Sequence, residues 1–287
     1  MRRIARGLRG RADRISGLPG RLERMQATSP ATKIALRELL LEYRSAVSER
    51  RPLPPLRDTG FRVFSQADED GILLFLLAAT GADTGRFVDI GAGDCVTANN
   101  CANLAFNLGF HGLFVDAHEG RIAAGRELYA RHPDTSTYPP RTVHALVTPE
   151  NVDTIVRDAA LDGGIDVLSI DVDGNDYWIW EAVTAANPAI VVIETHTEYR
   201  LHDVLAPYRA PTGESTRADE PVGASPVAMT RLGERLGYRL VGGNRFGFNA
   251  FYLRSELAAA VPTVDVDDLL RHDWSKEPNP WSKPPVP

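Results

Sequence analysis

Hydrophobic residues along this chain fall into two alternating rhythms. Short apolar runs, Phe87-Val88-Asp89-Ile90, Gly112-Leu113-Phe114-Val115, Thr142 to Val147, Ile165 to Ile170 and Ala189 to Glu194, read as buried strands. Between them lie segments with helical spacing: Thr97 to Leu108, Arg121 to Ala130, Asn151 to Ala159 and Tyr177 to Val183. Strands separated by helices of this length imply right-handed crossovers and a parallel sheet covered on both faces. After the fifth strand the rhythm changes. Residues 199–226 are polar and carry Pro207, Pro211, Gly213, Pro221 and Gly223, which suggests a loop over a site rather than core. A helix, Val227 to Leu236, follows, and then Tyr238 to Val241 and Asn249 to Leu253 flank a glycine-bearing turn, the pattern of an antiparallel hairpin.

Upstream, Ile34, Leu36, Leu39, Leu40 and Tyr43 mark an amphipathic helix between Ala31 and Val47, ended by Arg51-Pro52-Leu53-Pro54-Pro55. An apolar helix from Ile72 to Leu77 is preceded by Ser65, placed to cap it, and by acids in its first turn. The expected organisation is a basic tail and helical extension over 1–57, an α/β domain over 58–258, and a Pro-rich tail over 259–287. There is no internal repeat.

Composition narrows the field only modestly. The chain has 287 residues, 43% of them apolar, enough for a sizeable core, and its net charge of −6 argues against nucleic-acid binding by the chain as a whole. The charge is uneven, since Met1 to Met25 hold eight arginines against Asp13 and Glu23, a pattern open to a solvated tail, a transit peptide or weak contact with an acidic membrane surface. Cys95 and Cys101 lack metal-ligand spacing and suit reduced thiols. No apolar run reaches membrane-span length and no apolar stretch follows the basic opening as a secretory signal requires, so the expected location is cytoplasmic.

The candidate chemistry centres on Arg86 to Asn100, where the first strand empties into Gly91-Ala92-Gly93-Asp94. Glycine there lets a ligand approach the backbone and permits dihedrals that other residues resist. About 20 residues on, the second strand ends in Asp116, the position from which a carboxylate takes ribose hydroxyls. Val96 occupies the place where a dinucleotide fold wants a third small residue, and Asp89 and Asp94 flank the turn with negative charge. That charge disfavours pyrophosphate and suits a cationic cofactor.

V-D-I-G-A-G-D resembles the first motif of S-adenosylmethionine-dependent methyltransferases with a Rossmann-like fold, and S-Q-x-x-E-D-G, from Ser65 to Gly71, is similar to the helix start that precedes that motif in the FkbM-type family. The resemblance implies a class I methyltransferase fold, a mostly parallel seven-stranded sheet closed by an antiparallel hairpin. It implies a cofactor site of Gln66, Asp70, Asp89, Gly91, Gly93, Asp94, Asp116, Val147 and Asp171, with Leu146 and Val147 near adenine. For Gln66 and Asp70, plain helix capping is the competing explanation.

A second stretch, Ser169-Ile170-Asp171-Val172-Asp173-Gly174-Asn175-Asp176, ends a strand in three acids, and the next strand delivers Glu194-Thr195-His196 to the same edge. Such a cluster repels itself unless a proton or a cation resides there. Asp171, Asp173 and Glu194 are hard oxygen donors that suit Mg²⁺, although Asp173 and Asp176 could simply begin the next helix. D-x-D-G-x-D resembles the D-x-E-G-x-E segment of FkbM-type enzymes. His196 is the first candidate for a catalytic base and Asp171 the second, ahead of His111, His118, His144 and His202. Together these features point to O-methylation of a sugar or glycosylated metabolite. An NAD-dependent oxidoreductase or epimerase and a non-catalytic nucleoside-binding module remain as alternatives.

Overall fold

The computed structural model describes residues 28–210 and 221–270. A seven-stranded sheet in the order β3-β2-β1-β4-β5-β7-β6 forms its centre. The strands are β1 (Arg86–Ile90), β2 (His111–Asp116), β3 (Arg141–His144), β4 (Gly163–Ile170), β5 (Ala186–Glu194), β6 (Tyr238–Gly243) and β7 (Asn249–Arg254). The first five are parallel, and β7 runs antiparallel to both β5 and β6. The mixed α/β class, the parallel sheet and the closing hairpin are therefore as expected.

Alternation along the strands sorts the core into two layers. One face carries Phe87, Phe114, Val167, Ile190, Val192 and Phe251 against α2 (Glu69–Thr80), α3 (Ala102–Leu108) and α4 (Glu119–Arg131). The other carries Val88, Leu113, Leu168, Val191 and Ile193 against α5 (Val152–Asp158), α6 (Asp176–Ala182) and α7 (Pro226–Arg235). Each fully buried Leu, Ile or Phe in these layers contributes roughly 1.5–3 kcal/mol. The upstream helix, α1 (Pro30–Ser48), is capped by Ser29 and packs on the first layer, with the Tyr43 ring set edge-on to Phe75. Beyond 258 the chain also packs on the sheet: Val261 is buried, Val264 N–H bonds to Leu240 C=O, and Leu269 of α8 (Val266–Leu269) is buried.

Some boundaries differ from the sequence pattern. The helix expected from Thr97 starts at Ala102, because the Asn99 side chain receives the Cys101 and Ala102 N–H groups, while Asp94 receives those of Val96 and Thr97 in a separate turn. Ser65 does not cap α2. The residue at its N-cap is Asp68, and Ser65 instead exchanges hydrogen bonds with Asp70. The third strand stops at His144, leaving Ala145 to Val147 in irregular chain tied to β2 through Ala145 N–H and Asp116 C=O. The basic segment Met1 to Met25 lies outside the described residues, as does most of the Pro-rich tail. Among the described residues no helix is long and apolar enough to cross a membrane.

Candidate functional site

The sheet reverses its strand order at β1, which pairs with β2 on one side and β4 on the other. At such a point the helices depart to opposite faces and leave a crevice at the carboxyl ends. Here the crevice is a cleft of about 390 Å³ that Gly91, Val115, Asp116, Val147 and Asp171 help to line. Four of the expected cofactor residues, Gly91, Asp116, Val147 and Asp171, thus line the same cleft, together with Leu146.

Gly91 is required by geometry. Its φ is +87°, and a Cβ there would lie 1.6 Å from the Asp171 carbonyl oxygen. The bend after β1 and the bend after β4 are therefore in backbone contact, fixed further by Asp171 N–H to Ile90 C=O. Gly93 differs: its φ of +59° favours glycine, yet nothing crowds its Cβ position. Its N–H donates to Asp116 Oδ2 at 2.8 Å, and His118 N–H donates to Asp116 Oδ1 at 2.7 Å. The carboxylate that should meet a ribose is thereby aimed by two backbone donors. His118 and Arg121 also line the cleft, a contribution that the sequence reading did not assign. His118 opens α4, and its Nδ1 accepts the Arg121 N–H.

Four expected cofactor residues lie elsewhere. Asp94 is taken up by the Val96 and Thr97 turn. Asp89 sits under the turn, 3% exposed, bonded to Asn99 Nδ2, and burial pushes its carboxyl up to about 7. Asp70 Oδ2 receives the N–H groups of Val63, Phe64 and Ser65 and the Ser65 hydroxyl, while Oδ1 is buried without a partner. Burial outweighs those donors and holds Asp70 at about 6. Gln66 is half-buried in the same loop and does not line the cleft.

Beyond Asp171 the site becomes densely acidic. Ligand oxygens of Asp171, Asp176 and Glu194 lie within 4.8 Å of one another. Asp176 takes the place expected of Asp173, because the chain turns at Asp173 and Gly174, both at positive φ. This turn folds Asp176 back to receive the Val172 and Gly174 N–H groups. Asp173 itself faces the cleft. No hydrogen bond to the Asp171 or Glu194 side chain is present among the described residues, and burial followed by mutual repulsion holds both carboxyls well above their ordinary range. Asp176 is raised by burial. Such a group takes up protons or a cation.

His196 stands at the rim of this cluster. Its Nδ1 is 2.8 Å from Glu198 Oε1, and its Nε2 is buried with no partner. Gly223 packs against the ring so closely that a Cβ would lie 2.2 Å from Cδ2. The Glu198 hydrogen bond raises the imidazole pKa, and the same bond lowers that of Glu198. Glu198 was not singled out from the sequence, although an acid two residues after a candidate base is a readable signal. The remaining histidines have other settings. His144 Nε2 meets Ala117 C=O, burial lowers the His111 pKa, and His202 is exposed.

A wider hollow of about 490 Å³ between the Leu56–Asp58 turn, β6 and α8 contains none of the expected site residues.

No protein-family model and no curated protein matches the chain. Among solved structures it is similar to a glycopeptide N-methyltransferase, MtfA, complexed with S-adenosyl-L-homocysteine, at 15% identity over 69% of this chain and 95% of that one, TM-score 0.41. It is also similar to a putative methyltransferase, yhhF, from Escherichia coli, at 11% identity over 65% and 85%, TM-score 0.40. A third is magnesium protoporphyrin IX methyltransferase from Synechocystis PCC 6803 with bound SAM, at 14% identity over 65% and 78%, TM-score 0.39. At these scores the likenesses leave the chemistry to be argued from this chain's own residues.

Proposed function

We propose that this protein transfers a methyl group from S-adenosylmethionine to a hydroxyl of a sugar or glycosylated metabolite, assisted by Mg²⁺, as an FkbM-type methyltransferase. The observation that carries the reading is the meeting, in one cleft, of the Gly91 bend, the backbone-aimed Asp116 carboxylate, Val147 and Asp171, the last clustered with Asp176 and Glu194. A nucleoside whose ribose 5′ carbon carries a sulfonium matches that sequence of surfaces, with base, ribose and positive charge met in turn. When bound, the donor supplies a methyl carbon activated by its sulfonium, and Mg²⁺ supplies charge that lowers the pKa of a nearby hydroxyl.

The chain's own residues do the remainder. Gly91 admits the donor to the backbone, Asp116 accepts from ribose hydroxyls, and Leu146 and Val147 flank the base. Asp171, Asp176 and Glu194 would hold the cation, since three carboxylates that burial and repulsion leave strained are stabilised by a dication. Glu198 holds the Nδ1 proton of His196, so that the Nε2 lone pair is free to take the acceptor's proton as the new O–C bond forms and the S–C bond breaks.

The test has two arms. Calorimetry with S-adenosylmethionine and with NAD should show binding of the first alone. Radiolabelled methyl transfer to a panel of sugars, with and without EDTA, should give product that depends on the cation. Binding of NAD in preference, or no transfer to any hydroxyl, would reject the assignment.

A further inference from the structure

The carboxyl edge of the sheet carries one further oxygen that the reading above leaves unused. Asn249 opens β7 directly opposite Glu194 in register. Side chains of directly paired residues project from the same face of a sheet, with Cβ atoms about 5 Å apart. Asn249 is 2% exposed, and its amide is fixed: Nδ2 donates to Glu69 Oε1 at 2.9 Å, and Asn244 Nδ2 donates to the same oxygen at 2.7 Å. Because a carboxylate can only accept, the nitrogen of Asn249 must face Glu69, which leaves Oδ1 as the end turned elsewhere. That oxygen is buried with no hydrogen-bond partner. Glu69 is itself near the acid cluster, since its charge contributes to the raised pKa of Asp171.

A buried carbonyl oxygen without a donor costs roughly 1–3 kcal/mol. Keeping one, in a side chain held rigid by two residues from α2 and the β6–β7 turn, is accounted for by a ligand that comes to it. The alternative of a fourth carboxylate would add to a charge already excessive for one dication. Three carboxylates and a neutral amide oxygen, with water filling the remaining positions, form an all-oxygen set of the kind that suits Mg²⁺ or Mn²⁺.

We propose that Asn249 supplies the neutral oxygen ligand of the cation held by Asp171, Asp176 and Glu194, oriented for that purpose by Glu69 and Asn244. The inference rests on the cation reading of the same cluster but not on methyl transfer.

Mn²⁺ binding to the full chain, followed by electron paramagnetic resonance of the free ion, tests it without any turnover. The wild type should bind one Mn²⁺, and Asn249→Ala should weaken that binding roughly tenfold or more, in line with the loss of a residue that fixes a metal site. Asn244→Ala, which removes the other donor to Glu69 but leaves Oδ1 in place, should weaken it less. If Asn249→Ala does not fold, Asn249→Ser, too short to reach both Glu69 and the ion, is read in the same assay with the same expectation. Equal affinity in wild type and the Asn249 variant overturns this inference while leaving the cation site intact. No Mn²⁺ binding by the wild type overturns both.

Discussion

The two halves of the sheet's carboxyl edge treat their acids in opposite ways. On the β1–β2 side, Asp94 and Asp116 each receive two backbone N–H donors from the turns around them. On the β4–β5 side, Asp171 and Glu194 are half-buried with no donor and cluster with Asp176. The same residue type is thus a fixed acceptor in one half and a stored instability in the other. Donors are spent in the half that the proposal gives to the ribose and withheld from the two acids that it gives to the cation.

The largest effect should come from joining the halves wrongly. Gly91→Ala forces a Cβ into the Asp171 carbonyl and a left-handed φ on alanine. Strain alone costs about 1–3 kcal/mol, so urea unfolding should show at least that loss and calorimetry should show no donor binding. A variant with wild-type stability and affinity would mean that the two bends are not coupled.

Next is the base. His196→Gln should lower kcat by about 10²- to 10⁴-fold, the usual worth of a positioned proton acceptor, with donor affinity unchanged.

The acid-rich half makes an opposite prediction for stability. Glu194 has a folded pKa raised above its unfolded value, so its favourable contribution is complete below the ordinary carboxylate range and is lost as pH rises through the raised value. Metal-free protein should therefore lose stability from about pH 4–5 upward, and Glu194→Gln should flatten that loss while abolishing the benefit of added Mg²⁺. A metal-free protein whose thermal midpoint rises steadily over that range contradicts the repulsion. On the β1–β2 side, Asp116→Ala should weaken donor binding by about 10- to 100-fold, the worth of hydrogen bonds to a charged group.

The smallest effect concerns Glu198. Its hydrogen bond is the leading reason that the His196 pKa is raised. Glu198→Gln should move the acidic limb of kcat/KM to lower pH, because the neutral, active imidazole then persists further down, and should lower the plateau only several-fold. An unmoved limb would separate Glu198 from the base.

These contrasts also mark what the sequence could tell. Parallel strands buried on both faces write themselves as unbroken apolar runs, so β1, β2, β4 and β5 were legible, and with them Gly91, Asp116, Asp171 and Glu194. Local capping was less so. Ser65 and Thr97 both have the composition of helix starts, yet side-chain bonds within the loops, Ser65 to Asp70 and Asn99 to Ala102, decide where the helices begin. The exchange of Asp173 for Asp176 depends on positive φ at Asp173 and Gly174, which composition suggests but does not dictate. Asn249 was out of reach, since its partner Glu69 is 180 residues away and only the finished sheet brings them together.

The chain that returns past His196 is tied at its two stems. Tyr199 Oη donates to Val222 C=O and accepts from Val222 N–H, Ala206 N–H bonds to Gly223 C=O, and Leu205 bridges Ala224. This clasp holds residues 199–206 and 222–224 together beside the imidazole. A change at either stem is therefore passed to the ring through Gly223, whose backbone touches it.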